Sequence, residues 1–421
     1  SSVPYYKKKY DAAGVNLSDV RSVDDIHKLP LLEKRELVEH FEELHSEHYR
    51  NRTSLHEFVT GGTTGETVRI SHCRQSMHAT LVSYHRAYAH MMNGTYCPSY
   101  RCAYVYTAKY PFESFFGRFP MDFIWTLDDV EVIKKKLLDS TPHLITAYPS
   151  TIDRITQALS SRDLKRISKN LRVISTNSEM SSQSSRDEWS RIWDVPVLDT
   201  FCSEEISTMM FSQCLNKRYH VNEDCCVLEA TDLDGRPVAV GTEGQLIATS
   251  LWNFAMPLIR YNQGDRIVLN REVCADCGCG YNFSTVMEFL GRVNDTYLLP
   301  SGRRLSSGYL LDIGYSTLVK YRDAIKFWSL VQEQPDRVVL ECVFSAQVDS
   351  SLKERVATDL RPFFYGECSV EVQAVDSPRK SLKGKRRQIV STVKGAQRNA
   401  VVVNGSIPLD SDTHHLGMIQ H

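Results

Sequence analysis

Ten consecutive residues, Phe58-Val59-Thr60-Gly61-Gly62-Thr63-Thr64-Gly65-Glu66-Thr67, hold three glycines and four threonines. Glycine lets backbone N–H groups turn toward an anion without steric cost, and threonine hydroxyls add short donors, so the stretch suits a polyphosphate cradle. It suits a mobile polar turn equally well. A Walker A loop is excluded, because the G-x-x-x-x-G-K-S/T spacing is missing and Glu66 stands where a lysine would be needed. A second group is Cys274, Cys277 and Cys279, spaced C-x2-C-x-C in a glycine-containing stretch. That spacing resembles half of a tetrahedral zinc site, with buried free thiols as the alternative. In a third, Arg379-Lys380-Ser381-Leu382-Lys383-Gly384-Lys385-Arg386-Arg387, six of nine residues are basic. Such a run can stabilise developing negative charge, touch nucleic acid, or be a solvated surface.

These groups need elements to hold them. The 421 residues, 42% hydrophobic and 24% charged, allow two or three globular domains. Acidic residues outnumber basic ones by one, so no global field points to nucleic acid or an anionic membrane. No run is apolar enough for a membrane span, and the first residues lack the apolar core of a signal peptide, so a cytoplasmic location is expected. Twelve cysteines in a chain of this length do not make a disulfide framework.

Residues 1 to about 50 predict short helices. Gln75 to Met92 predicts a longer one, with Met77, Leu81, Tyr84, Tyr88 and Met91 as a core stripe. Strand-like stretches at Arg101 to Tyr106, Leu144 to Ala147 and Leu171 to Ser175 then alternate with helical ones at Val130 to Leu138 and Thr151 to Leu159. That recurrence predicts an α/β domain with a largely parallel sheet, whose ligands gather at the carboxyl ends of the strands. After Phe211 the pattern turns β-rich, and from Gly291 it predicts a smaller α+β unit. The expected organisation is therefore 1–290 as a large N-terminal α/β domain with a β-rich subdomain, 291–395 as a small C-terminal α+β domain, which the resemblance given below implies is mobile, and 396–421 as a tail.

Six stretches in order resemble the adenylate-forming superfamily, in its branch of phenylacetate-CoA ligase, coenzyme F390 synthetase and the CapK-like proteins. Thr60 to Gly65 resembles that family's ATP phosphate loop, Ala147-Tyr148-Pro149-Ser150 its substrate-pocket stretch, and Asp199-Thr200-Phe201-Cys202-Ser203-Glu204-Glu205 its D-x-Y-G-x-S/T-E segment. Ala255 to Asp265 is similar to A-M-P-L-I-R-Y-x-x-G-D, Gly291-Arg292-Val293-Asn294-Asp295 to G-R-x-D-D, and Gly384-Lys385 to a late G-K. The chain departs from the pattern at Phe201 and Cys202, where tyrosine and glycine are usual, and at Asn294, where aspartate or lysine is usual. Glu66, in place of a common lysine, leans toward the CapK-like members.

The resemblance implies an ATP-dependent, AMP-forming ligase that makes an acyl-adenylate from a small aromatic or apolar acid and passes the acyl group to a thiol, most simply CoA. Alternatives are transfer to a carrier-protein phosphopantetheine or to an amine or hydroxyl, and a catalytically degenerate nucleotide-binding scaffold. It implies that Thr60, Gly61, Gly62, Thr63, Thr64 and Gly65 bind phosphates and that Glu205 holds Mg2+. Ser178, Glu179, Asp199, Phe201, Cys202, Ser203 and Glu204 would border the nucleotide, Asp265 the ribose hydroxyls, and Arg292 the same region. Tyr148 and Pro149 would line the acid pocket, with Tyr104, Tyr106, Tyr110 and Phe112 near it. Lys385 would be the catalytic lysine and Asn294 the hinge. The branch also pairs its C-x-C-G element with an earlier Cys and His, which Cys277, Cys279, Cys214 and His220 match, leaving Cys274 as the alternate ligand of a structural zinc site. A homodimer is what the resemblance suggests of assembly.

Overall fold

Leu144–Ala147 and Val173–Thr176 are buried at every position, as strands covered on both faces must be. In the computed structural model they pair in parallel, flanked by Cys102–Tyr106 on one side and Val197–Ser203 on the other. Met121–Trp125 completes that edge, also parallel. Val197–Ser203 then turns the pattern, pairing antiparallel with Thr208–Gln213. The sheet continues through Tyr219–Val221, Ser284–Arg292, Tyr261–Val273, Glu243–Ser250 and Cys226–Thr231. The parallel and β-rich regions that the sequence pattern separates are thus one 11-stranded sheet. The structure describes residues 2–49, 55–61, 67–95, 97–109, 112–206, 208–273, 277–292, 295–380 and 386–393.

Alternation along the parallel strands sends successive side chains to opposite faces. Ala103, Val105, Ile145, Ile174 and Val197 meet Ile133, Ile152, Ile155, Ile167 and Trp193 from the helices Val130–Ser140, Pro149–Ala158, Ser161–Ser168 and Gln183–Trp193. Cys102, Leu144, Val173 and Leu198 meet Leu81, Tyr88 and Met91 of the helix Arg74–Met91 on the other face. Ile152 and Ile155 are wholly buried, each contributing about 1.5–3 kcal/mol of transfer free energy. They fix the helix Pro149–Ala158, which starts with Pro149 at a position that needs no N–H.

His56–Gly61 and Thr67–His72 form an antiparallel hairpin around the Gly/Thr stretch. The first 50 residues contribute short helices, of which Pro4–Ala12 and Lys34–Glu39 pack Tyr6, Tyr10 and Leu37 into the core under the antiparallel part of the sheet. Past residue 295 a separate core of Tyr297, Leu310, Trp328, Leu340, Leu360 and Phe364 supports a four-stranded sheet. Its order is Ser369–Ala374, Arg337–Phe344, Ile325–Gln334, Ile389–Ser391, and the helices Ser307–Leu318 and Ser350–Leu360 pack with it. Gly291 lies where the two parts meet, at φ +79, and a Cβ there would come within 2.2 Å of Met180 Sδ and 2.3 Å of Ser307 Oγ. Only glycine fits such an approach. Among the described residues no helix is long and apolar enough to cross a membrane.

Candidate active site

A cavity of 1580 Å³ opens at the carboxyl ends of the parallel strands, between the large sheet and the C-terminal unit. Tyr106, Tyr148, Asn177 and Phe201 border it, each at or just beyond the end of a strand or at the start of the helix that follows. The topology rule for open α/β sheets puts ligands at such an edge. Of the residues singled out in the sequence, Tyr148, Ser178, Glu179, Asp199, Phe201, Cys202, Ser203, Glu204, Glu205, Asp265 and Arg292 line this cavity.

Asp265 does not close a turn, as its Gln-Gly-Asp context suggests. It lies inside the strand Tyr261–Val273, where Gln263, Gly264 and Asp265 together oppose the single residue Leu246 between the pairs Gln245–Arg266 and Ile247–Asn262. Gly264 at φ +75 makes this bulge, and a bulge re-aims the side chain it carries. Asp265 Oδ1 sits 3.2 Å from Arg292 Nε, while Oδ2 is buried with no partner among the described residues. An orphaned carboxylate oxygen facing a cavity suits a ligand hydroxyl donor. Burial raises this carboxyl from 3.8 to about 6, with Arg292 opposing and Glu205 and Asp295 adding to the rise. The folded chain therefore holds this proton from about pH 4 to 6 where the unfolded chain does not, and the group's contribution to stability falls as pH rises through that window. Since only the ionised carboxylate accepts two hydroxyl donors, the KM for the ATP that the resemblance implies should rise as pH falls below about 6. Asp265→Asn should remove that dependence, which initial rates between pH 5 and 8 would reveal.

Glu205 sits in the turn between Val197–Ser203 and Thr208–Gln213, so the first turn of a helix, the bland explanation for a glutamate there, does not apply. Its Oε2 accepts from Ser203 Oγ at 3.1 Å. The turn is held from the hairpin by His72, a residue that sequence reasoning missed. His72 Nε2 lies 2.9 Å from the Glu204 carbonyl, and Nδ1 lies 3.2 Å from Ser76 Oγ and 3.1 Å from Asn253 Nδ2. A carbonyl can only accept, so Nε2 carries the proton and Nδ1 accepts. Burial lowers the His72 pKa to about 4, which keeps the ring neutral. For the ATP-dependent reaction that the resemblance implies, His72→Leu should lower the rate about tenfold, the cost of one buried hydrogen bond that orients the turn, with the KM for ATP changing less than kcat, as steady-state rates would show.

Phe201 stacks on Phe211 at 4.8 Å and 11° and tilts against Phe289 at 4.5 Å, so its ring is held by the core while lining the cavity. Ser178 adopts a left-handed conformation at φ 65, with its hydroxyl 3.0 Å from Asn177 Oδ1. Strain of this kind in a non-glycine residue costs about 1–3 kcal/mol and concentrates at binding sites. Asp199 is committed inside the protein, accepting from Thr176 Oγ1 at 2.9 Å and Tyr219 OH at 2.8 Å, and burial raises its pKa. Glu179 is committed too: Oε2 accepts from Ser150 N at 3.0 Å and Oε1 from Arg386 N at 2.9 Å.

The acid-pocket expectations divide. Tyr104, Tyr106 and Tyr148 line the cavity. Tyr106 is hydrogen-bonded to Asn177, and the Tyr148 hydroxyl lies 2.9 Å from Thr107 Oγ1. Pro149 does not line it; it is buried as the first residue of its helix. Phe112 packs on the core beneath the helix Arg74–Met91. From that helix Met77 and Tyr84 of the core stripe also border the cavity, Met77 while buried and Tyr84 while packed against the core.

Cys214, His220, Cys277 and Cys279 form a second group, whose ligand atoms all lie within 4.8 Å of one another. Cys214 Sγ and Cys277 Sγ are 3.4 Å apart, and Cys279 Sγ is 3.3 Å from His220 Nε2. A tetrahedral zinc with bonds of about 2.3 Å to sulfur and 2.0 Å to nitrogen needs ligand separations of roughly 3.5–3.8 Å. Small closure or opening of these contacts meets that need, so the residues fit a closed metal site, apart from the cavity lining.

Gly62, Thr63, Thr64, Gly65, Glu66, Tyr110, Cys274, Asn294, Gly384 and Lys385 lie outside the described residues. Thr60 and Gly61 end the first hairpin strand, with their side-chain surroundings likewise outside the description.

No family model matches the chain. It is 24% identical over 305 residues to the phenylacetate-coenzyme A ligase of Thermus thermophilus, covering 70% of this chain and 67% of that one. To protein CapK of Staphylococcus aureus it is 22% identical over 263 residues, 62% of this chain and 55% of the relative. The matches thus span about two thirds or less of these curated relatives' length. Among solved structures, 2-hydroxyisobutyryl-CoA ligase in the postadenylation state with R3-HIB-AMP superposes with a TM-score of 0.74 at 16% identity, over 93% of this chain and 85% of that one. The same ligase in an open conformation with 2-HIB-AMP and CoA gives 0.59 at 17% identity, over 92% and 87%. The shared fold is that of the adenylate-forming ligases.

Proposed function

We infer that this chain, which belongs to the adenylate-forming superfamily in its phenylacetate-CoA ligase and CapK-like branch, activates a small carboxylic acid with ATP and passes the acyl group to a thiol. In the first step a carboxylate oxygen bonds to the α-phosphorus and the bond to pyrophosphate breaks, leaving an acyl-adenylate. In the second the thiol attacks the acyl carbon and AMP leaves. The observation that carries this reading is the convergence of Asp265, Arg292, Glu205, Phe201 and Tyr148 on one cavity at the sheet's carboxyl edge.

Each residue has a part that its chemistry suits. Asp265, with one oxygen on Arg292 and the other without a partner among the described residues, takes the ribose hydroxyls. Phe201, braced by Phe211, offers an aromatic border to the base. Glu205 is the carboxylate that would hold Mg2+, which would neutralise phosphate charge. The Gly/Thr segment of the hairpin supplies N–H and hydroxyl donors to the phosphates, and Lys385 the cation for the charge that develops as the carboxylate attacks. Tyr148, Tyr104 and Tyr106 favour an aromatic or apolar acid. Cys214, His220, Cys277 and Cys279 would hold a structural zinc ion that ties the sheet's antiparallel part together.

The acceptor is CoA in the simplest case, with a carrier-bound thiol or an amine or hydroxyl as the second choice. Trapping tests the reading. With ATP, an aryl acid and hydroxylamine the protein should release AMP and form the hydroxamate. CoA in place of hydroxylamine should then yield the thioester, whereas stimulation only by a phosphopantetheinylated carrier protein would move the second step to the alternative.

A further inference from the structure

The helix Pro149–Ala158 belongs to the large part of the chain, yet it grips the strand-ward end of the basic run through two carboxylates. Glu179 bridges the first: it accepts the Ser150 N–H at that helix's start and the Arg386 N–H, at 3.0 and 2.9 Å. Asp153, one turn along the same helix, is the second: its Oδ2 lies 3.3 Å from Nη1 of Arg386. The Arg386 guanidinium also lies 5.3 Å over the ring of Phe327, from the central strand Ile325–Gln334 of the C-terminal unit. Its side chain is 5% exposed and that of Asp153 19%.

We propose that Arg386 is a positioning residue for the activation step, latching the C-terminal unit to the helix Pro149–Ala158 through Asp153 and Glu179, and that the latch opens for acyl transfer. The proposal rests on the two-step reading given above. A second ion pair across the same junction is a weaker anchor. Arg322–Glu188 joins a 66%-exposed arginine to its partner, and exposed pairs contribute little. The Arg386–Asp153 pair is shielded, so each charge would be left without its mate if one were removed. Separation of the two units instead returns both charges to water, which lets the latch open without stranding either. Burial holds the Asp153 carboxyl above its ordinary range while Arg386 pulls it back, consistent with a carboxylate that depends on this partner. The chain superposes better on the postadenylation form of the comparison ligase than on its open form, at 0.74 against 0.59, which accords with a latched arrangement.

The test separates the two half reactions and adds a readout that needs no substrate. Asp153→Asn and Arg386→Lys should each lower acid-dependent ATP–pyrophosphate exchange about tenfold, as loss of a charge-assisted hydrogen bond does. Thioester formation from a synthetic acyl-adenylate should be unchanged or faster. Fluorophores introduced by unnatural amino acids on the helices Val130–Ser140 and Ser350–Leu360 should report a broader distance distribution in Asp153→Asn than in the wild type. Exchanging the charges, Asp153→Arg with Arg386→Asp, should narrow it again. A parallel fall in both half reactions, or a distance distribution that Asp153→Asn leaves unchanged, would overturn the latch. If the wild type exchanges with no acid, the enzymatic reading fails, and the distance measurement still decides the latch.

Discussion

Replacing Lys385 by alanine should lower acid-dependent ATP–pyrophosphate exchange by about 100-fold or more, while thioester formation from a synthetic acyl-adenylate stays near the wild-type rate. The expected size follows from losing one preorganised positive group at the site of charge development, worth about 2.7–4 kcal/mol. A basic run that acts only through its net charge would respond differently. Six basic residues lie between Arg379 and Arg387, so removal of one would then cost little, and Lys383→Ala would match Lys385→Ala. Arg386 and Arg387 have structural partners in Asp153 and Asp295, at 3.3 and 2.8 Å. Arg386 is therefore committed to joining the two parts of the chain and Arg387 to a contact within the C-terminal unit, and neither can replace the lost cation. Nucleic-acid binding predicts a third pattern, salt-sensitive affinity that falls with each neutralised residue.

The second large effect concerns stability. Stripping zinc with a strong chelator, or replacing Cys279 by serine, should lower the melting temperature by about 10 °C or more. The four ligand atoms come from the segment after Thr208–Gln213, from the strand Tyr219–Val221, and from the segment that leads into Ser284–Arg292. Tyr219–Val221 is only three residues long and pairs with Ser284–Arg292 through two registered positions. Such a junction has few ladder hydrogen bonds of its own, so a metal ion held by these four ligands would supply much of its cohesion. Catalysis by the fraction that stays folded should be little changed, because these residues do not line the cavity. Metal analysis should find one zinc per chain, and Cys274→Ser should retain it. Buried free thiols without a metal would instead leave melting unchanged by chelators.

The elements that carry their own signal were legible in the sequence. Leu144–Ala147 and Val173–Thr176 are continuous apolar runs because both faces are covered, and the helix Arg74–Met91 shows its 3.6-residue stripe. The family resemblance, together with the C-x2-C-x-C spacing, marked the carboxylates, cysteines and aromatic residues that the cavity and the sulfur cluster collect. What could not be read depends on partners far along the chain. Asp265 follows a glycine that looks like a turn, and only its pairing with Glu243–Ser250 makes that segment a bulge. Met77 and Tyr84 belong to the core stripe, and only the distant segments that gather around them make them border the cavity as well. Pro149 sits in a stretch that resembles a pocket wall, but its fixed backbone serves the helix start. His72 and Arg386 gave no signal at all: a lone histidine beside Cys73 and one arginine among six basic residues acquire roles from Glu204 and Asp153, 132 and 233 positions away. The expectations for Gly62 to Gly65, Cys274, Asn294 and Lys385 fall outside the described residues and stand on the sequence.

The most direct measurement is ATP–pyrophosphate exchange over a panel of aryl, alkyl and amino acids, with Lys385→Ala and Glu205→Ala alongside. Acid-dependent exchange in the wild type, strongest with aromatic or apolar acids and reduced about 100-fold in both variants, is the predicted result. ATP binding without exchange for any acid would contradict the account.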